Sequence, residues 1–291
     1  MYLIIGGNGF LGSYLIKNIL EQTTDRILAT DLVCPAENRS RVVWQKCDIS
    51  SDDDLAALQK KTEGEKLKVL FLAAYHHPDA VLKNPQTAWN INVVALAKFL
   101  GLFENIETLY YPSTEAVYGE MKDRPFCECD ALNPVSRYGE LKTVAEKMVN
   151  VAGFNVVRFP VLIGPSLVAG RKHFYDEIVE TVSNGGKMEM FSDQLRSMID
   201  FDTAAQMVVR LMETPAAHQY PIVNIAGDEA LSKYDLGIRI CCSKGLDAAQ
   251  IVPISMAKDN KIFTAKRAQT TLLDNSLIKK ILGLRELKIK I

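Results

Sequence analysis

Tyr2-Leu3-Ile4-Ile5-Gly6-Gly7-Asn8-Gly9-Phe10-Leu11-Gly12 is the stretch that decides the fold. Tyr2–Ile5 is an apolar run of strand length closed by glycine, the pattern of a strand buried on both faces. Phe10, Leu11, Tyr14, Leu15, Ile19 and Leu20 then recur at helical spacing. Between them Gly6, Gly9 and Gly12 form G-x-x-G-x-x-G. In a strand–turn–helix unit the first glycine allows the tight turn, the second lets the backbone approach a pyrophosphate, and the third lets helix and sheet pack closely. The helix N-terminus adds free N–H groups and the positive end of its dipole. A glycine-rich turn without a ligand would carry the same letters, so context decides. Here an acid, Asp31, follows the next apolar segment, about 20 residues on, where a carboxylate accepts from ribose hydroxyls. A carboxylate there repels a 2′-phosphate, so NAD is expected and NADP is the alternative. Arg39 and Arg41 lie close enough in sequence to weaken that preference.

Outward from this unit, strand and helix patterns alternate. Strands are expected at Arg26–Thr30, Val42–Gln45, Val69–Ala73, Thr108–Tyr111 and Val156–Phe159. Helices are expected from about Ser51, over Pro85–Leu102 and over Pro134–Val151. Strict alternation implies α/β architecture, a doubly wound parallel Rossmann sheet, because each parallel crossover needs an intervening helix. After Val161 the pattern loosens. Helices are expected at Phe174–Asn184, Thr203–Glu213 and Ser232–Cys242, with strands at Lys187–Phe191 and Ile222–Ile225. The expected organisation is a nucleotide-binding domain over 1–160. Residues 161–291 form mainly a smaller C-terminal α/β substrate lobe, with some segments returning to the first domain.

The formal net charge is -1 over 291 residues, so a nucleic-acid partner gains no electrostatic support. No apolar run is long enough to span a bilayer, and no secretory signal is read at the start. The six cysteines form no C-x-x-C pair, and no histidine stands at finger spacing, so no metal site is expected. Free thiols suit a reducing cytoplasm.

Tyr138-Gly139-Glu140-Leu141-Lys142 puts a phenol and an ammonium one helical turn apart on one face. A neighbouring ammonium favours the phenolate and brings a phenol toward the working range for proton transfer. Such a pair is common by chance, and a surface Tyr–Lys contact is the plain alternative. Its place after the fifth strand, which closes on Ser113-Thr114, raises it above that.

These segments together resemble the extended short-chain dehydrogenase/reductases, the NAD-dependent epimerase/dehydratase family. The glycine turn resembles T-G-x-x-G-x-x-G with Ile5 in place of Thr. Cys47-Asp48-Ile49 resembles the D-[LIV] that holds adenine, and Leu72-Ala73-Ala74 the fourth-strand end along the cofactor. Asn92 matches the helix Asn that supports the active site. Pro112–Gly119 resembles S-S/T-x-x-V-Y-G, with Thr114 on the catalytic Ser/Thr, and Pro134–Lys142 resembles P-x-x-x-Y-G-x-x-K. Arg158–Pro165 resembles the segment leading into the substrate lobe. Gln194–Phe201 resembles Q-x-R-D-F-I-x-V, whose Arg meets a nucleotide-sugar pyrophosphate. Val223–Gly227 resembles the N-I-G strand, and Arg267 with Leu273-Asp274 and Leu282-Gly283 the R…L-D…L-G ending.

The resemblance implies Thr114, Tyr138 and Lys142 as catalytic residues. It implies a cofactor site of Gly6, Asn8, Gly9, Phe10, Leu11, Gly12, Asp31, Asp48, Ile49, Leu72, Ala73, Ala74, Asn92, Tyr138, Lys142, Phe159 and Val161. Thr114, Glu115, His173, Arg196 and Arg267 form the implied substrate side. The implied reaction moves a hydride at a sugar carbon of a nucleotide-activated sugar, as in the sugar-nucleotide 4-ketoreductases. Tyr138 would pass the proton, with Lys142 lowering its pKa. Alternatives are a 4-epimerase, a non-catalytic NAD-binding regulatory subunit and a dehydrogenase of a small non-nucleotide substrate. A homodimer is left open. Two departures count. Dehydratases carry an Asp-Glu pair after the Thr, whereas Glu115-Ala116 lacks the second acid, which disfavours dehydration. Ser197 replaces the usual Asp after Arg196.

Overall fold

The computed structural model describes residues 1–35, 41–121, 123–258 and 263–291. Through residue 160 the elements are β1 (Tyr2–Ile5), α1 (Phe10–Gln22), β2 (Ile27–Asp31), β3 (Val42–Lys46), α2 (Asp52–Lys61), β4 (Leu67–Phe71), α3 (Pro78–Lys83), α4 (Pro85–Trp89), α5 (Ala95–Leu102), β5 (Ile106–Thr114), α6 (Arg137–Val151) and β6 (Asn155–Phe159). There follow β7 (Leu162–Ile163), α7 (Phe174–Ser183), β8 (Met188–Phe191), β9 (Leu195–Arg196), β10 (Ile199–Asp200), α8 (Phe201–Met212), β11 (Ile222–Asn224), α9 (Lys233–Lys244), β12 (Ile251–Ile254), β13 (Thr270–Thr271) and α10 (Ser276–Leu282).

Seven parallel strands form one sheet in the order β11-β6-β5-β4-β1-β2-β3. Chain order reverses between β1 and β4, so the crevice at the C-terminal ends of these strands is the topological switch point. Side chains alternate across β1. Tyr2 and Ile4 join the core shared with α1, α8 and α10, while Leu3 and Ile5 join the core shared with α2, α5 and α6. Ser51 caps α2 by accepting from the Asp54 N–H, and Asp52, Asp53 and Asp54 lie in its first turn.

The chain after residue 160 divides itself between two places. β11 joins the seven-stranded sheet, and α8 lies against α1. α7, α9, β8 and β12 bury a separate core around Tyr175, Ile178, Met190, Leu236 and Ile251. The short parallel pairs β7·β10, β8·β12 and β9·β13 tie the lobe together.

The helix expected over Pro85–Leu102 is broken. A π turn, Asn90–Val94, separates α4 from α5, and α3 precedes both. The widened turn aims Asn92 back at the loop after β4. Its Oδ1 accepts from the Tyr75 N–H at 2.7 Å and its Nδ2 donates to the Tyr75 carbonyl at 3.0 Å. Such bulges are frequent at functional sites.

Candidate active site

The glycine turn leaves β1 at the switch point. Gly6 has φ +86°, and a Cβ there would sit 2.8 Å from the Ala73 backbone nitrogen. At Gly12 a Cβ would meet the Gly7 carbonyl oxygen at 2.5 Å. Gly9 caps α1 without a side-chain bond, so the first N–H groups of that helix have no side-chain acceptor at the cap. Asp31 closes β2 and ties the turn to it, accepting from the Asn8 N–H at 3.0 Å and from the Leu32 N–H at 2.8 Å. A bare backbone cradle, a helix N-terminus and a carboxylate at the second strand end fit the pyrophosphate and ribose of a dinucleotide.

Arg41 turns away from this place. Its guanidinium donates to the carbonyls of Leu20 and Thr23 near the end of α1, at 2.6 and 2.7 Å. Arg39 lies outside the described residues. Asp48 accepts from Ser50, and Ile49 is buried beyond β3. Leu72 and Ala73 donate their N–H groups to the Ile5 carbonyl, which holds the end of β4 beside the turn. Asn92 fixes Tyr75, so it supports this loop from behind.

Thr114 is the last residue of β5, its hydroxyl accepts from the Ala116 N–H at 3.2 Å, and it lines one cavity with Tyr138. Lys142 stands one turn further along α6 and is buried. Its ammonium, however, does not face Tyr138. It donates to the Tyr111 hydroxyl at 2.9 Å and the Pro112 carbonyl at 2.7 Å, over the Tyr111 ring. Burial pulls the Lys142 pKa down to about 7. Burial also raises the Tyr138 pKa above its ordinary value, with the Thr114 hydroxyl opposing and Glu115 adding to the rise. Burial thus opposes ionisation of the phenol here, and the ammonium is held by β5. Beneath α6, Glu146 and Arg158 make a fully buried bidentate pair at 2.6 and 2.9 Å.

A cavity of about 200 Å3 opens beside Thr114 and Tyr138. Its other wall comes from the lobe and includes Val161, Arg196, Lys233 and Arg267. Glu115 is buried there and meets the Arg196 Nε at 2.7 Å. Burial pushes the Glu115 pKa up to about 7 against the pull of Arg196. Its second oxygen has no hydrogen-bond partner.

The two arginines expected at the pyrophosphate have other partners here. Besides Glu115, Arg196 donates to the Leu195, Ala268 and Gln269 carbonyls, because β9 pairs with β13 directly over it. Arg267 pairs with Asp79 at 3.0 Å and stacks on Phe263. His173 stands apart from the cavity. It caps α7 and packs edge-on against Phe10 and Phe201, each 4.9 Å away. It therefore touches the glycine-turn helix, not Thr114 and Tyr138. The Ser197 hydroxyl, where the resemblance has an Asp, accepts from the buried Leu273 N–H at 3.0 Å.

Sequence reasoning missed Tyr111, which holds Lys142, and Lys233 in the lobe wall. It also missed Arg171, whose guanidinium reaches the Asn8 carbonyl at 3.0 Å over the Phe10 ring. Only Tyr111 had a signal, its place two residues before Ser113 on the same strand. Cys127 and Cys129, set aside as free thiols, have their sulfurs 3.0 Å apart on a loop away from this cavity.

A profile of the family described as RmlD substrate binding domain matches residues 1–289. The chain belongs to that family. This agrees with the resemblance to the extended short-chain dehydrogenase/reductases. A UDP-glucose 4-epimerase of Lactobacillus helveticus is 26% identical over 218 residues, 69% of this chain and 64% of that one, so the match spans just under two thirds of the epimerase. The methionine adenosyltransferase 2 subunit beta of Danio rerio is 25% identical over 97% of this chain and 84% of its own length. Among solved structures, a dTDP-4-dehydrorhamnose reductase from Bacillus anthracis in complex with NADP superposes with TM-score 0.79 at 17% identity, covering 99% of this chain and 94% of that one. A UDP-glucuronic acid 4-epimerase from Bacillus cereus, in complex with UDP-glucuronic acid and NAD, gives TM-score 0.81 at 20% identity, with 100% and 94% covered. At these identities the structural likeness establishes the fold. No helix among the described residues is long and apolar enough to cross a membrane.

Proposed function

We propose that this protein is an NAD-dependent oxidoreductase acting at a sugar carbon of a nucleotide-activated sugar, of the 4-ketoreductase type. The observation that carries the reading is the junction of Thr114, Tyr138 and Lys142 on β5 and α6, with Thr114 and Tyr138 facing a cation-lined lobe wall across one cavity, in a sheet whose first strand leads into the glycine turn. Residues 1–160 would hold the cofactor, through the glycine turn, Asn8, Phe10, Leu11, Asp31, Asp48, Ile49, Leu72, Ala73, Ala74 and Phe159, with Val161 adding to it from the start of the lobe. Residues 161–291 would supply mainly the substrate side. The cofactor supplies the hydride. Tyr138 gives its proton to the carbonyl oxygen, and Thr114 holds the phenol in line. Lys142 positions that end of β5 through Tyr111 and Pro112, and its buried charge favours negative charge developing nearby. Glu115 and Arg196 shape the floor of the substrate cavity. A cytoplasmic location suits the six free cysteines, and a homodimer is the assembly to test.

Tyr138→Phe removes one oxygen from a residue that packs but carries no core strand. Turnover of a nucleotide 4-keto sugar with NADH should fall about 10²–10⁴-fold, with NADH affinity and melting temperature retained. Near-normal turnover would remove Tyr138 from the mechanism. Net NADH consumption marks a reductase, and redox-neutral turnover an epimerase. A second reading, an NAD-binding subunit of another enzyme, is favoured by the near-full-length match to the adenosyltransferase subunit. It predicts NADH binding with no turnover of any nucleotide sugar in wild type or variant.

A further inference from the structure

The lobe wall of the cavity holds an unbalanced charge. Arg196, Lys233, Lys266 and Arg267 line it, against the single carboxylate of Glu115. Glu115 answers Arg196, and Asp79 answers Arg267 from outside the cavity. Among the described residues no acid lies within ion-pair distance of Lys233 or Lys266. Lys266 is exposed and solvated, whereas Lys233 is half-buried.

No carboxylate among the described residues answers the cation at Lys233. It is the first residue of α9, where the helix dipole disfavours positive charge. Burial and the two flanking guanidiniums both act against its charged form. Its only described neighbours of favourable sign are two ring faces, Phe174 at 5.2 Å and Phe263 at 5.8 Å. These fix the ammonium in the wall and leave its three donors unfilled. An unpaired, desolvated cation in a cleft is expected where a ligand brings the opposite charge.

We infer that Lys233 is the residue of this wall that binds the substrate's diphosphate, and that Arg196 and Arg267 are positioning residues for Glu115 and the 263–271 segment. This rests on the nucleotide-sugar reading above. The anion could also be a sugar carboxylate, which offers the same oxygen chemistry, so the test separates the two.

The test is calorimetry on the full chain with NADH present, using UDP, UDP-glucose and UDP-glucuronic acid against wild type, Lys233→Met, Lys233→Arg and Lys266→Met. Loss of a charge-assisted contact should weaken UDP about ten- to hundredfold in Lys233→Met. All three ligands should weaken by the same factor, Lys233→Arg should recover most of it, and Lys266→Met should lose less. NADH affinity and melting temperature should stay at wild-type values. Unchanged UDP affinity in Lys233→Met overturns the inference while leaving the nucleotide-sugar reading intact. A loss confined to UDP-glucuronic acid overturns the diphosphate assignment in favour of a carboxylate. A loss matched by lower NADH affinity or melting temperature overturns it in favour of a structural role. If wild type binds no nucleoside diphosphate while still binding NADH, the nucleotide-sugar reading falls as well.

Discussion

The two halves of the candidate site are built by different means. On the sheet side, backbone defines the site. The glycine turn, the strand ends and the start of α1 are placed by local sequence, and a side chain at Gly6 or Gly12 would collide with main chain. On the lobe side, side chains define it. Arg196, Glu115, Arg267 and Asp79 come from four separate segments and form two ion pairs, Arg196 with Glu115 and Arg267 with Asp79. A backbone site has few ways to be arranged. A side-chain network has many, and its members change partners without changing letters. The same type of residue, arginine at a family position, is therefore a weaker guide to function on the lobe side than glycine is on the sheet side.

The largest expected effect attacks the lobe network. Arg196→Leu leaves Glu115 buried without its partner, which should destabilise the fold by about 3–5 kcal/mol, read from urea unfolding. Adding Glu115→Gln should restore part of the loss, and full additivity of the two changes would break the picture of a coupled pair. Glu115 also gives the pH sign. Its native pKa is raised from 4.5 to about 7, so between those values the folded state binds the extra proton. Stability from this group is present at low pH and falls as pH climbs through that window. In wild type, Glu115→Gln should flatten that slope. In Arg196→Leu the deficit should be worst above about pH 7 and shrink on acidification.

The sheet side should respond differently to a smaller intrusion. Gly12→Ala puts a methyl 2.5 Å from the Gly7 oxygen and 2.8 Å from the Gly6 oxygen. Overpacking of this kind typically costs about 1–3 kcal/mol. Here it should appear mainly as weaker NADH binding, because the peptides that carry these oxygens form the turn whose N–H groups would meet the phosphates. A melting shift with unchanged NADH affinity would mean that the turn adapts, and that the backbone-defined wall is softer than the comparison holds.

The contrast also explains what was legible. β1, α1, β2, α2, β6 and the start of α9 follow from local periodicity and caps such as Ser51 and Ser232, so their expected spans differ from the observed ones by a residue or two. β9 and β13 have two residues each and exist only because they pair across more than seventy positions, a contact without a period to read. The π turn at Asn90–Val94 hides inside an apolar helix pattern because its cause, the Asn92 bridge to Tyr75, is tertiary. Tyr138 and Lys142 could be placed on one helix face from spacing. That Lys142 would face Tyr111 could not, because the choice depends on how deeply α6 sits against β5.

The smallest expected effect concerns the one side chain on which the sheet wall does depend. Asp31 has two tasks that a single substitution confounds: it accepts from the Asn8 and Leu32 N–H groups, and it carries charge at the ribose position. Asp31→Ala loses both, so NADH should weaken because the turn loosens, whatever the cofactor preference. Asn8 and Leu32 donate to different carboxylate oxygens, so Asp31→Asn removes the charge and keeps one of the two tethers, and the NADH/NADPH ratio, in which the loosened turn cancels, reads the electrostatic part. If repulsion excludes a 2′-phosphate, wild type should bind NADH more tightly than NADPH. The ratio should then move toward NADPH by about tenfold in Asp31→Asn, the size of one modest charge interaction. Arg41 contributes nothing to this balance, because its guanidinium is held at the far end of α1 by the Leu20 and Thr23 carbonyls. Arg41→Met should therefore leave the ratio where it is while lowering stability slightly. Fluorescence titration of both reduced cofactors against the four proteins reads these outcomes directly. A wild type that binds NADPH at least as tightly as NADH would show that the Asp31 carboxylate serves the turn alone, and that even the legible wall takes its specificity from elsewhere.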